Sequence, residues 1–273
     1  MGIDLHGLNF LRLARRSGPF GATVMIGRQG VHLKPKVIEV CLGPEARALA
    51  GQYAEPLLTA YFGATDVQSI DFSDYERASI IHDFNQPVPD ALHGRFDTVI
   101  DFGTLEHVFQ IPQALKNCSL LASSGGQILH VLPANNLCGH GFWQFSPELF
   151  LSLYSTRNGY RDTELLLADL RDTAHWHHVQ PAPPGERIAV SSAAPVYILV
   201  RTVKAQSAFS HDSVQQSDYL VAWDAAAPPE LPARPPFWRK LLRSLHKRRG
   251  RLDGTRHLRK IAVGDAMQSG LEG

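Results

Sequence analysis

Apolar and polar positions along this chain fall into short β-branched runs separated by stretches of helical period, most clearly in the segment FDTVIDFGTLEH at 96–107. Thr98, Val99 and Ile100 sit between Asp97 and Asp101, a run too short for a helix and suited to a strand buried on both faces. Gly103 and Thr104 loosen the chain, after which Leu105, Val108, Leu115 and Leu120 recur at roughly helical spacing and predict a covering helix. Gly125-Gly126 ends it, residues 127–132 form the next strand, and Pro133 with Asn135-Asn136 breaks that strand. A strand, a helix and a strand within about 35 residues imply a parallel pair, and parallel sheets bind ligands outside the carboxyl ends of their strands. Asp101, Glu106, His107 and Asn135 are therefore expected on a ligand-facing side.

The same pattern, read outward, predicts an amphipathic helix at 5–16, a buried strand at 22–26 running into Gly27-Arg28-Gln29-Gly30, and a second helix at 45–62 stopped by Gly63. A strand at 67–71, a short helix at 75–78, a strand at 79–83 and a loop at 85–89 follow. Ser146-Pro147-Glu148 opens another helix as N-cap, N1 proline and early acid, ending near Asn158-Gly159. Residues 163–170 and 195–204 are strand-like, with a polar excursion between them. Residues 205–236 lack periodicity and carry two proline-rich stretches, as a linker does. Beyond them Phe237, Trp238, Leu241, Leu242 and Leu245 mark one face of a short basic helix.

In Phe96-Asp97, Leu105-Glu106-His107, Gly125-Gly126 and Pro133, taken in that order, the chain resembles the class I S-adenosylmethionine-dependent methyltransferases. The resemblance implies a Rossmann-like α/β sandwich with a mostly parallel seven-stranded sheet and a terminal antiparallel strand. It extends to about residue 204, so the expected organisation is a methyltransferase-like domain at 1–204, a linker at 205–236 and a basic amphipathic tail at 237–273. S-adenosyl-L-methionine is the cofactor it implies.

An acid ending a strand can accept both hydroxyl hydrogens of a ribose, and Asp71 in Asp71-Phe72-Ser73 takes that role by the resemblance. Asp83, after the third strand, matches by position the acid that contacts adenine, with Phe84 packing on the ring. The crevice after the first strand needs small residues. Here the family's glycine-rich pattern is reduced to Gly27-Arg28-Gln29-Gly30; Gly27 keeps one glycine in register, Arg28 is placed to pair with the methionyl carboxylate, and Gln29 stands where a smaller residue is expected. A rival first strand at 37–43 keeps Glu39 and Gly43. Asp101 completes the expected cofactor-facing set.

Methyl transfer is an in-line displacement, so the protein mainly aligns donor and nucleophile, and a hydroxyl acceptor gains from a general base. His107 and His140 are the candidates, with Glu106 as a further carboxylate, while His130, inside a strand, is expected to be packed or hydrogen-bonded. Asn135, Asn136 and Gln144 alternate with Phe142, Trp143 and Phe145. That mix suits a polar, ring-shaped acceptor such as a sugar; equally it suits a loop whose aromatics cap the core. His175-Trp176-His177-His178 lacks a matching carboxylate or cysteine set and reads as a loop, so no metal is expected.

Composition changes this picture in two places. The 273 residues, 44% of them hydrophobic, suffice for a full core, and no run of about 18 apolar residues suggests a spanning helix. Three cysteines without paired spacing suit reduced thiols and a cytoplasmic location, and no signal peptide is expected. The net charge of +1 conceals an asymmetry, because 10 of the 27 Lys and Arg residues lie at 239–260. The expected partners are a small-molecule or glycan acceptor and, through 237–260, an anionic membrane surface at the inner face; there is no nucleic-acid motif. A non-catalytic relative that scaffolds a biosynthetic complex is the second reading.

Overall fold

A computed structural model describes residues 2–206, 214–224, 252 and 257–268. Among the described residues nine strands form one sheet in the order β3-β2-β1-β4-β5-β8-β6-β7-β9. The strands are β1 (Gly21–Ile26), β2 (Ala64–Asp71), β3 (Ile80–Ile81), β4 (Phe96–Asp101), β5 (Ala122–Asn135), β6 (Tyr160–Asp169), β7 (His175–Val179), β8 (Val196–Lys204) and β9 (Leu258–Ala262). Strands β1 to β5 pair in parallel. The ladders β5–β8, β8–β6, β6–β7 and β7–β9 are antiparallel. The run 3-2-1-4-5 is the doubly wound, Rossmann-like order, with its switch point between β1 and β4. The expected antiparallel strand is β8, slotted between β5 and β6; the count of seven is exceeded by β7 and β9.

Alternation along the strands builds a core on each face. Val24, Ile26, Val99, Ile128 and Ile198 face α4 (Ile111–Leu121) and α5 (Pro147–Leu153), where Leu115, Leu121, Phe150 and Leu153 are buried. Met25, Ile100, Leu129 and Leu199 face the opposite way, onto Leu8, Phe10 and Leu11 of α1 (Leu5–Arg15) and Leu57 and Leu58 of α3 (Glu55–Phe62). Residues 37–43, the rival first strand, belong instead to helix α2 (Pro35–Leu42), which leaves the strand before Gly27 as β1.

Several elements differ from expectation for local reasons. The helix predicted at 45–62 divides into a 3-10 turn, Pro44–Leu49, and α3, because Pro56 has no N–H to donate and fits only in a helix's first turn. Residues 75–78 form a turn rather than a helix. Leu105–His107 is a 3-10 turn, and the covering helix begins only at Ile111. Strand β5 continues through Pro133 because pairing with β4 stops at His130, so the missing N–H costs nothing on that side. His175-Trp176-His177-His178 is not a loop; it lies in β7, whose inward residue Trp176 is wholly buried beside Phe10.

Within the expected linker, Ser217–Asp224 is helical, and within the expected tail Leu258–Ala262 supplies β9 while Val263–Gln268 forms a helix against α1. The basic apolar stripe at 237–249 lies outside the described residues. Among the described residues no helix is long and apolar enough to cross a membrane.

Trp176 donates from Nε1 to His6 Nδ1 at 3.1 Å, and burial holds the His6 imidazole below its ordinary range. Its folded value lies below the unfolded one, so the stability involved is complete above about pH 6.5 and is lost as the pH falls from there through the folded value. The thermal midpoint should therefore drop between about pH 7.5 and about pH 5.5, and less steeply in His6→Asn, which keeps an acceptor for Trp176 but cannot titrate. Equal slopes in the two proteins would exclude His6 as a contributor.

Candidate functional site

The parallel strands end together at one edge of the sheet, bringing Gly27, Asp71, the turn after Ile81, and Asp101 to the same side. Gly27 has φ +69°, and a Cβ there would lie 2.4 Å from Thr104 Oγ1, so only glycine fits. The end of β1 is already occupied by the chain's own polar groups: Thr104 Oγ1 donates to Ile26 O at 2.7 Å and Gln29 Nε2 donates to the same oxygen at 2.8 Å. Gln29 is buried, and its Oε1 has no partner among the described residues.

Three residues expected at the cofactor are instead engaged within the chain. Arg28, expected to pair with a carboxylate ligand, is held by the chain: its Nε donates to Glu55 at 2.7 Å, its Nη1 donates to Glu76 O at 2.8 Å, and its guanidinium lies 3.9 Å from the Tyr53 ring centroid. Phe84 is only 5% exposed and belongs to the core, so it is not an open stacking face. Asp101 is wholly buried; Oδ2 meets His130 Nδ1 at 2.8 Å, and Oδ1 accepts from the amides of Thr104 and Leu105. His130 is hydrogen-bonded as expected, its Nε2 lying 2.7 Å from the Tyr154 hydroxyl. With all three side chains buried, this chain of bonds holds structure and meets no substrate.

Asp71 ends β2 as expected, whereas β3 stops at Ile81, so Asp83 lies two residues beyond the strand it was expected to end. Asp71 Oδ1 accepts from Phe72 N and Asp83 Oδ1 accepts from Asn85, whose hydrogen bonds hold the Asp83 carboxyl below its usual range; the second oxygen of each has no partner among the described residues. Phe72 and Tyr75 are exposed in the turn after Asp71; the sequence placed Phe72 only within Asp71-Phe72-Ser73 and Tyr75 in a short helix, so neither was singled out.

Glu106, His107 and His140 form a second group beside this edge. The amides that Asp101 caps start the Leu105–His107 turn, which turns the Glu106 side chain inward. Glu106 O then accepts from Phe142 N at 2.7 Å and Trp143 N at 3.3 Å, hooking the loop that carries His140 onto the turn. Gly141, at φ +73°, is required at that hook, since a Cβ would sit 2.7 Å from Glu106 Cγ. His140 Nε2 comes within 3.1 Å of Glu106 Oε1 and His107 Nε2 within 3.9 Å. The rings of the two histidines pack edge to face, 5.0 Å apart. Burial, and next the Asp101 charge, push the Glu106 carboxyl up to about 8. Burial lowers both histidines, His140 adding to the effect on His107.

Around the group Phe109, Phe142 and Trp143 form an exposed aromatic rim, with Phe109 6.2 Å from Phe142 and 6.5 Å from Trp143. The other members of the 135–145 segment serve the fold: Asn136 donates to Ser192 O and Ala194 O, Gln144 accepts from Leu137 N, and Phe145 is buried. Phe109 escaped sequence reasoning because the helical spacing assigned it to the covering helix. A separate cavity of about 600 Å³ lies beside α1 and β9, lined by Arg16, Arg201, Arg259 and Lys260 with Glu164 and Asp265. It sits away from the carboxyl ends of the parallel strands.

No protein-family model matches the chain, and no curated protein sequence matches it. Among solved structures the chain is similar to the N-methyltransferase NodS of Bradyrhizobium japonicum with S-adenosyl-L-homocysteine, at 16% identity over 73% of this chain and 85% of that one, with a TM-score of 0.39. It is similar to the 1,6-didemethyltoxoflavin-N1-methyltransferase of Burkholderia thailandensis, at 13% identity over 74% of this chain and 78% of that one, TM-score 0.40. A third is the phosphoethanolamine N-methyltransferase 2 of Haemonchus contortus, at 12% identity over 73% of this chain and 52% of that one, TM-score 0.41. The fold class rests on the strand order and connections above.

Removing the Asp101 carboxylate would orphan His130 and two turn amides at once. Asp101→Ala should lower stability by about 3 kcal/mol in urea unfolding, and Asp101→Asn by less, because it still accepts from the turn. Equal losses for the two variants would show that the capped amides contribute nothing.

Proposed function

We propose that the chain is an S-adenosylmethionine-dependent methyltransferase acting on a hydroxyl of a small polar or carbohydrate-like acceptor. What supports this reading is that Gly27, Asp71 and the turn carrying Asp83 lie at the same sheet edge as the turn carrying Glu106 and His107, whose ligand atoms lie within 4.8 Å of one another and of His140's. Asp71 would hold the ribose hydroxyls and Asp83 the adenine amino group, with exposed Phe72 or Tyr75 available to cover a flat ring in place of Phe84. When bound, the cofactor supplies an electrophilic methyl group. The protein's own work is to orient the acceptor between the aromatic rim and the histidines and to take up the hydroxyl proton there. Phe109, Phe142 and Trp143 offer apolar faces of the kind that sugar rings stack on.

One observation favours a non-catalytic scaffold instead. Gln29 and Thr104 fill the end of β1, and Arg28 is committed to Glu55 and Tyr53. Titration with S-adenosylhomocysteine in a calorimeter separates the two readings. Saturable binding is expected, weakened at least about tenfold in Asp71→Ala (about 1.4 kcal/mol). Arg28→Ala should change the unfolding midpoint more than the affinity. Folded protein that shows no heat of binding would leave the scaffold reading standing alone.

The membrane association proposed for 237–260 has its own measurement. Co-sedimentation with anionic vesicles should be lost on truncating that segment, and binding that survives truncation would refute it.

A further inference from the structure

We propose that Glu106, His107 and His140 bind a single divalent transition-metal ion, zinc by donor preference, with open coordination positions toward the Phe109, Phe142 and Trp143 rim. Three observations lead there. One ligand atom from each residue lies within 4.8 Å of the other two, with His140 Nε2 at 3.1 Å and His107 Nε2 at 3.9 Å from Glu106 Oε1. Two ligands on one tetrahedral zinc stand about 3.3 Å apart, so the set closes on an ion by side-chain shifts of about 1 Å.

The second observation is Glu106 Oε2, a carboxylate oxygen on a 0% exposed residue with no partner among the described residues. A buried polar atom left unpaired is costly, and an ion held by both carboxylate oxygens, Oε1 facing the histidines and Oε2 beside it, would remove that cost. Third, the two imidazoles are 49% and 35% exposed, so an ion can reach the carboxylate and exchange ligands on its outer side. Two histidines and one carboxylate form the donor set of catalytic zinc sites that keep a position for water or substrate. Oxygen-only cations such as magnesium favour carboxylates and carbonyls over imidazole.

The role of such an ion rests on the proposed methyl transfer, whereas its binding does not. An acceptor hydroxyl on the open position would have its pKa lowered and release its proton to solvent, so that the ion, rather than a free imidazole, prepares the nucleophile.

The test uses the full chain stripped with a chelator. Cobalt(II) should bind one per chain with visible d–d absorption, and zinc should displace it. Glu106→Gln and His140→Ala should each weaken zinc at least about tenfold by calorimetry. The double variant His175→Ala/His178→Ala, on β7, should bind as the wild type does. His140 lies on an outer loop, so that variant remains informative if Glu106→Gln fails to fold. No saturable binding, unchanged affinity in folded Glu106→Gln or His140→Ala, or loss in the β7 variant instead would each overturn the proposal. Titrating S-adenosylhomocysteine on the same preparations separates the two ideas: cofactor without metal sinks the metal site alone, and metal without cofactor sinks the methyl-transfer reading alone.

Discussion

Asp101 is a carboxylate with no water to turn to, and the architecture of the candidate site follows from how its oxygens are satisfied. One oxygen binds His130 on β5, which continues to Tyr154 just beyond α5; the other caps the amides of Thr104 and Leu105. A single buried anion thus ties the end of β4 to its neighbouring strand, to the helix packed on that face, and to the turn that begins the next segment. Taking such a charge out of water is costly unless every lone pair is used. The cost is what makes the arrangement specific, because a shift of β5 or of the turn breaks at least one of these bonds.

The same economy governs the end of β1. In a doubly wound fold the loop there is open so that a ligand's polar groups meet backbone amides. Here Thr104 and Gln29 both donate to Ile26 O, and Arg28 bridges Glu55 to the turn after Asp71. The chain therefore spends on itself several contacts that a bound molecule would otherwise make. What stays uncommitted lies to either side: the second oxygens of Asp71 and Asp83 toward β2 and β3, and the Glu106 group past β4.

Strand identity was legible because burial on both faces demands apolar β-branched runs, and β1, β4, β5 and β8 carry them. The parallel order followed from the strand, helix, strand spacing. Contacts that depend on distant partners were not legible. Arg28 sits where the resemblance places a ligand contact, yet Glu55, 27 residues on, claims its guanidinium. Phe84 has a neighbour's role by position, but Asn117 Nδ2 donates to its carbonyl and the ring turns into the core. His175-Trp176-His177-His178 looks like a polar cluster until β9 supplies an edge for it to pair with and Trp176 points inward. His107 and His140, by contrast, were legible as chemistry. Their meeting was not, because it depends on the Glu106 carbonyl catching the 142–143 amides across 36 residues of sequence.

Glu106 stands five positions after Asp101 on a turn that Asp101 itself caps, and the two buried carboxylates are treated unequally. Asp101 has a histidine and two amides, whereas among the described residues Glu106 has an imidazole nitrogen on one oxygen and nothing on the other. Like charges in so dry a place oppose one another, which is why Asp101 contributes to the upward displacement of Glu106. A fold that needed only a capped turn would gain by putting an apolar residue at position 106, since a buried acid without its full complement of partners is a net cost. Gly141 makes the point sharper, for it gives up side-chain packing at an αL position so that the loop carrying His140 can close on Glu106. Two local costs thus meet at one spot beside the carboxyl ends of the parallel strands: a buried carboxylate with an oxygen unpaired among the described residues, and a glycine held at positive φ against it.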